Sequence, residues 1–434
     1  MSRAMTTSTI VIIAIVAIAA FFAGSMLMQP APEEEVVTFT VLAGEDPIVE
    51  RGLEILQERN PDVNFDIQWI AREGGDLREY ALISMAGGEF PDVYYCDSIW
   101  MGEFVKAGFL NAFSSSQLAD IEGWPEDWHE NTRSGMTWDD EVYGIWWDTD
   151  TRVWMYNKDF ISDEDVPTTW EEEIALQEQL EDEGKPPIIV YTSHWWFDYI
   201  LPLMWQCTPE AEILPPGWGL FEERDGQLFP IFNQTWHVRA LQHMVDMVDA
   251  GAYPAYLSAE GDEGHVRCFE DLYSAVPGGG TWAYSEWVDL GYSGADFADK
   301  IGFAVHPYPS DAHSGSFGGG WCWTIPKGAD DKDWALEFIK IVCEHDVCVE
   351  MGKEYGNMFP RYDVMDELIA WGQLPYLDVI MEQYEYSYIR PAMPEWDQFD
   401  NYLMDACTEA IQGVKTPQEA LDDAVAKMKI ALGW

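Results

Sequence analysis

Residues 36–70 read VVTFTVLAGEDPIVERGLEILQERNPDVNFDIQWI. The β-branched run Val36–Gly44 predicts a strand that stops at its glycine. Apolar residues at Ile48, Leu53, Ile55 and Leu56 then follow the spacing of an amphipathic helix, which Asn60-Pro61 ends. NFDIQWI alternates apolar and polar residues and predicts a second strand. Outward from there, DLREYALISMAGGEFPDV predicts a helix closed by Gly87-Gly88, leading through Pro91 into the strand DVYYCD. Strand, helix, strand, helix, strand is the pattern of a parallel sheet with helices on both faces, so the fold class is α/β.

The same grammar returns downstream. RVWMYN, PPIIVYT, IGFAVHPYP and GGWCWTIP predict strands. TTWEEEIALQEQLEDEG predicts a helix capped by Thr168 or Thr169, with acids in its first turn where the helix dipole favours them. TWHVRALQHMVDMVDAG predicts one closed by Gly251, and DKDWALEFIKIVCEH and TPQEALDDAVAKMKIAL predict two more. A chain of 434 residues exceeds one small core, and linkers are expected near residues 146–150 and 309–316. One stretch resists this reading. Tyr143–Asn157, YGIWWDTDTRVWMYN, sets two tryptophans against two aspartates just before a strand, an awkward set to bury.

Net charge is −55, from 78 acidic against 23 basic residues, which argues against a nucleic-acid partner because binding phosphates needs a basic surface. The acids are spread along the whole chain. That favours a solvated acidic shell of a salt-adapted protein over a surface tuned to a cationic ligand or to metal ions. Thr9–Met28 is an uncharged apolar run of 20 residues, long for a secretory core and long enough to span a bilayer, so it predicts an N-terminal transmembrane or signal helix. Arg3 on its N-terminal side favours an exported body, and QPAPEEE reads as a spacer, leaving residues 1–35 as anchor and spacer. No cysteine follows the run to take a lipid. The run also resembles archaeal pilin-like signals, with Arg3-Ala4 as the clip site.

The cysteines number 7, are scattered, and contain no CxxC pair. Cys343 and Cys348 are the closest set, either a local disulfide or two ordinary thiols, with too few neighbouring ligands for zinc. No GxSxG, HExxH, Walker-type loop or GxGxxG opening a helix is present, so no cofactor is expected. His237 and His243 lie six apart, which does not place them on one helix face. With 78 carboxylates, an acid/base pair can be chosen anywhere and so carries no information. The 22 tryptophans do suit sugars, whose C–H faces pack on rings while their hydroxyls bond to carboxylates.

From Val36 onward the chain resembles the extracellular solute-binding proteins of ABC importers, in the group that includes maltose- and trehalose-binding proteins. MAGGEFPDVYYCDSIWMGEFVKAGFLNAF (85–113) is similar to the family's Gly-x-x-Pro-Asp-Val and Ala-Gly-x-Leu blocks. YGIWWDTDTRVWMYNKDF (143–160) is similar to its Tyr-Gly-Ile-Pro…Asp…Tyr-Asn-Lys block, and VPTTWEE to its Pro-x-Thr-Trp-x-Glu helix start. GGGTWAYSEW (278–287), the stretch 301–340 and YIRPAMPEW (388–396) continue the match in family order. The resemblance implies a two-lobed periplasmic-binding-protein-like fold with hinge strands and an interlobe ligand cleft. Residues 36–146 plus 313–358 would form lobe 1, and 147–312 plus 359–434 lobe 2.

It also implies site residues. Glu45 and Asp46 fall in the turn that carries an acidic contact, and Asp97 matches an acid that takes sugar hydroxyls, with Trp100 one turn on. Asp150 matches the cleft aspartate, and Asp148 occupies the slot two residues earlier. Trp282 and Trp321 match aromatic platforms, with Gly319 and Gly320 letting backbone approach the ligand. Arg390 matches an arginine that bonds hydroxyls or orients a carboxylate. The chain departs from the family where Trp146 and Trp147 replace the expected proline, and where Trp195 and Trp196 are added. Trp147 and Trp196 therefore join the expected ligand-facing rings, and the extra rings point to an oligosaccharide.

The function implied is a non-catalytic receptor, extracellular and anchored or secreted. Its partners would be a carbohydrate ligand, the ABC permease and, through the apolar leader, the membrane. A secreted carbohydrate-active enzyme shares the Trp-and-Asp signature but not the ordered blocks. A receptor for a cationic solute such as a betaine or polyamine is the other alternative.

Overall fold

The computed structural model describes residues 36–434, apart from 73, 192–196, 215–216, 255–262, 281, 375 and 392. The apolar leader, with its expected spanning or signal helix, lies outside the described residues, as does Trp196.

The first βαβ units form as the periodicity predicts. Strand β1 (Val36–Ala43) is followed by helix α1 (Pro47–Arg59), β2 (Asn64–Ala71), α2 (Gly74–Ala86) and β3 (Val93–Asp97). Asp46 caps α1, its Oδ1 accepting from the Ile48 N–H at 3.1 Å, and Pro47 at the first position loses no hydrogen bond there. Strands β1 and β2 pair in parallel from Val36↔Asn64 to Ala43↔Ala71, and β3 lies parallel on the other side of β1.

Two sheets meet at Arg152. Strand β4 (Ile145–Thr151) belongs to the first sheet, and β5 (Val153–Asn157) begins a second, smaller one. Helix α3 (Trp170–Asp182) starts at Thr169 in a reciprocal capping box with Glu172. Helix α4 (Thr235–Asp249) precedes β6 (Ala275–Gly279), helix α5 (Ala283–Asp289) and β7 (Ile301–Ala304). Both β6 and β7 pair antiparallel with β5. The chain then returns to the first sheet as β8 (Ser316–Thr324), which pairs antiparallel with β3 and β4. Helix α6 (Lys332–Val342) covers that sheet against α1, and β9 (Ser387–Ile389) adds in parallel to the start of β8. The closing helices α7 (Trp396–Ile411) and α8 (Pro417–Ala431) pack on each other and on α4.

Two boundaries differ from those expected. Residues 146–150 are not a linker but the middle of β4, with Trp146 and Trp147 each 1% exposed. The change of sheet therefore falls at Arg152 rather than between 146 and 147. The C-terminal part is not wholly in the second lobe either, because β9 joins the first sheet. All seven cysteines are free thiols, including Cys343 and Cys348, whose burial pushes both thiols up, Cys348 to about 12. His237 and His243 are buried on α4, where they bond Thr208 and Glu173 respectively. Burial holds His237 down to about 3, as a neutral core ring.

Candidate ligand-binding cleft

The C-terminal ends of β1, β3 and β4 open onto one cleft of about 500 Å³. Open α/β sheets bind ligands at such ends. The first lobe contributes Glu45 and Asp46 from the turn after β1, Tyr95 from β3, Asp148 and Asp150 from β4, and Trp321 from β8. The second lobe faces them with Trp282, Ser285 and Asp289, from α5 and its entry. Tyr355, Gly356 and Asn357 close one end.

Asp148 and Asp150 reach the cleft because β4 alternates from Asp148 onward: Thr149 and Thr151 are buried on one face, and the aspartates point the other way. Asp150 is held from behind. Its Oδ1 takes the Arg152 guanidinium at 2.5 Å and the Gly319 N–H at 2.9 Å. The Arg152 guanidinium carbon lies 4.1 Å from the Phe317 ring centre and 4.4 Å from that of Trp282. A single buried cation thus touches a cleft acid of one lobe and a cleft ring of the other, at the residue where the chain changes sheet.

Trp321 is backed by rings. It stacks on Tyr95 at 5.4 Å between centroids, Tyr95 stacks on Trp323 at 4.2 Å, and Trp100 meets Trp321 edge-on at 5.6 Å. The platform is therefore fixed before any ligand arrives.

Asp148 accepts from the Asn357 side chain and the Met358 N–H, yet burial, then Asp46 and Asp150, push its carboxyl well above the usual range. A carboxyl raised on folding binds its proton more tightly in the native state. Stability is therefore lost as pH rises from the unfolded value through the folded one. Asp148→Asn removes that cost. The variant is expected to melt higher than the parent at pH 7 without ligand and to lose the difference at pH 4. Thermal melts at the two pH values check this, and a lower melting point at pH 7 contradicts it.

The structure brings together Glu45, Asp46, Asp148, Asp150, Trp282 and Trp321 of the residues singled out in the sequence. Asp97 and Arg390 lie one layer behind, as an ion pair of 3.5 Å, and burial raises the Asp97 carboxyl against the pull of Arg390. Trp100 supports Trp321 instead of lining the cleft. Trp147 is a correction: it sits in the core and donates its indole N–H to the Val342 carbonyl at 2.6 Å, because the register irregularity of β4 at this residue turns its ring in against Tyr95 and Phe359. Gly319 and Gly320 are corrections of role. A Cβ on Gly320, at φ +137°, would lie 2.1 Å from the Asp148 carbonyl oxygen. One on Gly319 would lie 2.9 Å from both Asp150 Oδ1 and Arg390 Nη2. The close approach is to the chain's own strand and ion pairs.

Tyr95, Ser285, Asp289, Tyr355 and Asn357 were not anticipated. Tyr355-Gly356-Asn357 carried a usable signal, a Gly-Asn turn directly after a helix, with Gly356 at φ +77°. Among the described residues no group of three metal-ligating side chains is positioned to hold an ion.

The profile of the bacterial extracellular solute-binding protein family matches residues 32–262. Solved structures agree on the fold. The GacH receptor of Streptomyces glaucescens, solved unliganded and with acarbose, superposes with a TM-score of 0.75 at 17% identity, over 92% of this chain and 98% of its own. The sugar-binding protein MalE of Xanthomonas citri gives 0.76 at 18%, over 92% and 97%. The cyclic α-maltosyl-1,6-maltose binding protein of Arthrobacter globiformis gives 0.73 at 21%, over 92% and 99%. Identities this low carry the two-lobed architecture and nothing finer, whereas the family profile covers more than half of the sequence. The chain therefore belongs to the bacterial extracellular solute-binding proteins.

Proposed function

We propose that the protein is a non-catalytic receptor that captures a sugar, of two or more rings, outside the cell and delivers it to an ABC permease. The observation that carries this is the pairing of flat aromatic walls with carboxylates in one interlobe cleft: Trp321 and Trp282 against Asp148 and Asp150. Rings take the C–H faces of a pyranose and carboxylates its hydroxyls, in a mostly preformed pocket. Closure of the lobes would complete the contacts. The membrane is reached through the apolar segment Thr9–Met28, as an anchor on the extracellular face. The solved sugar-binding proteins of the same fold support the ligand class.

The test is a titration with a panel of mono- and oligosaccharides. At least one is expected to give a saturable change in tryptophan fluorescence and a stabilisation of about 2.7 kcal/mol at a hundredfold excess over Kd. That sugar should be recovered intact by chromatography after overnight incubation. No response to any sugar would remove the sugar assignment, and a shortened product would replace the receptor with a hydrolase.

A further inference from the structure

We propose that the cleft selects a sugar bearing a protonated amine over its neutral counterpart. This rests on the sugar reading above and adds the sign of the ligand's charge. Glu45, Asp46, Asp148, Asp150 and Asp289 line the cleft, and no lysine, arginine or histidine does so among the described residues. Asp150 is answered by Arg152 from behind, and one oxygen of Asp46 caps α1, which meets that helix's partial positive charge. Asp148 has neutral hydrogen-bond donors, Asn357 and the Met358 N–H, with Asp46 and Asp150 as like charges beside it.

General acidity of the surface does not account for this. An exposed acid is solvated and screened by salt, whereas Asp148 sits on a sheet strand within a partly enclosed cleft, where screening is weak.

The two lobes also face each other with the same sign. Asp289 ends α5 on one wall, and Glu45 and Asp46 stand on the other. Bringing the walls together around a neutral ligand compresses like charges in a medium of falling dielectric. An ammonium held between them reverses the sign of that interaction, and Trp282, Trp321 and Tyr95 offer ring faces to the same cation. A neutral sugar gains the stacking and the hydroxyl bonds but not this charge term. An acidic sugar adds repulsion and is excluded.

The experiment compares matched pairs by calorimetry on the full chain: glucosamine with glucose, galactosamine with galactose, and the glucosamine disaccharide with cellobiose, at low and at 1 M NaCl. Spermidine and glycine betaine serve as cations without a sugar ring. The expected result is binding of at least one amine about tenfold or more tighter than its neutral partner at low salt, with the ratio shrinking in salt. Asp289→Asn, at an exposed helix end, is expected to lower the ratio, and Asp148→Asn to lower it further. Equal or tighter binding of the neutral partners overturns the charge inference and leaves the sugar receptor standing. Spermidine or betaine binding as tightly as the amino sugars overturns the sugar half instead. Failure of every sugar, amine or neutral, removes both.

Discussion

Replacing Arg152 by methionine is expected to cost about 3–5 kcal/mol of folding stability, because it removes one partner of a buried ion pair and leaves the other charged. The Arg152 side chain is 5% exposed and Asp150 18%, and the same guanidinium packs on Phe317 and Trp282. A methionine of similar length restores the packing but not the charge. Equilibrium denaturation measures the loss directly. The double variant Arg152→Met with Asp150→Asn is expected to recover most of it, since no uncompensated carboxylate then remains. A single-variant loss below about 1 kcal/mol contradicts the ion-pair account and places the residue with surface pairs. Because Arg152 touches Trp282, the single variant should also bind ligand more weakly than its stability alone explains.

The second large effect is on binding. Trp321→Ala is expected to weaken the best sugar by about 2–3 kcal/mol, roughly 30- to 150-fold in Kd, as loss of a central aromatic anchor does. Tyr95 and Trp323 beneath it remain, so the sheet holds and a void replaces the platform. Trp321→Phe keeps a flat face and should retain most of the affinity. Calorimetric titration of the two variants separates stacking from bulk. An unchanged Kd in the alanine variant takes Trp321 out of the ligand contact.

Much of the architecture is legible locally. The strands and helices from Val36 to Asp97 follow from period and from caps such as Asp46, both set within a few residues. The Tyr143–Asn157 stretch shows where local reading fails. Its composition resembles a linker, yet Asp148-Thr149-Asp150-Thr151 alternates with period two and so places the acids in the cleft, while an irregularity in the pairing just before them sends Trp147 into the core. A tryptophan serves a core and a ligand platform equally well, so residue type does not distinguish Trp147 from Trp321. Their surroundings do: Trp147 is enclosed by Val342 and Phe359, and Trp321 opens onto the cleft.

The glycines of β8 teach the same point. Gly319 and Gly320 mark a close approach, as their type implies, but to Asp150, Arg390 and the backbone of β4. Residues of the far wall are the hardest to foresee. Asp289 and Asn357 join the cleft only because distant segments meet there, and nothing within their own neighbourhoods encodes that meeting.

The central claim is that this cleft holds a sugar without changing it. Native mass spectrometry of the full chain, as purified and after addition of the panel, tests it in one reading. One intact sugar per chain, released on denaturation with its mass unaltered after incubation, is the predicted result. A chain that carries no sugar under any of these conditions, or one that returns the sugar as smaller fragments, contradicts it.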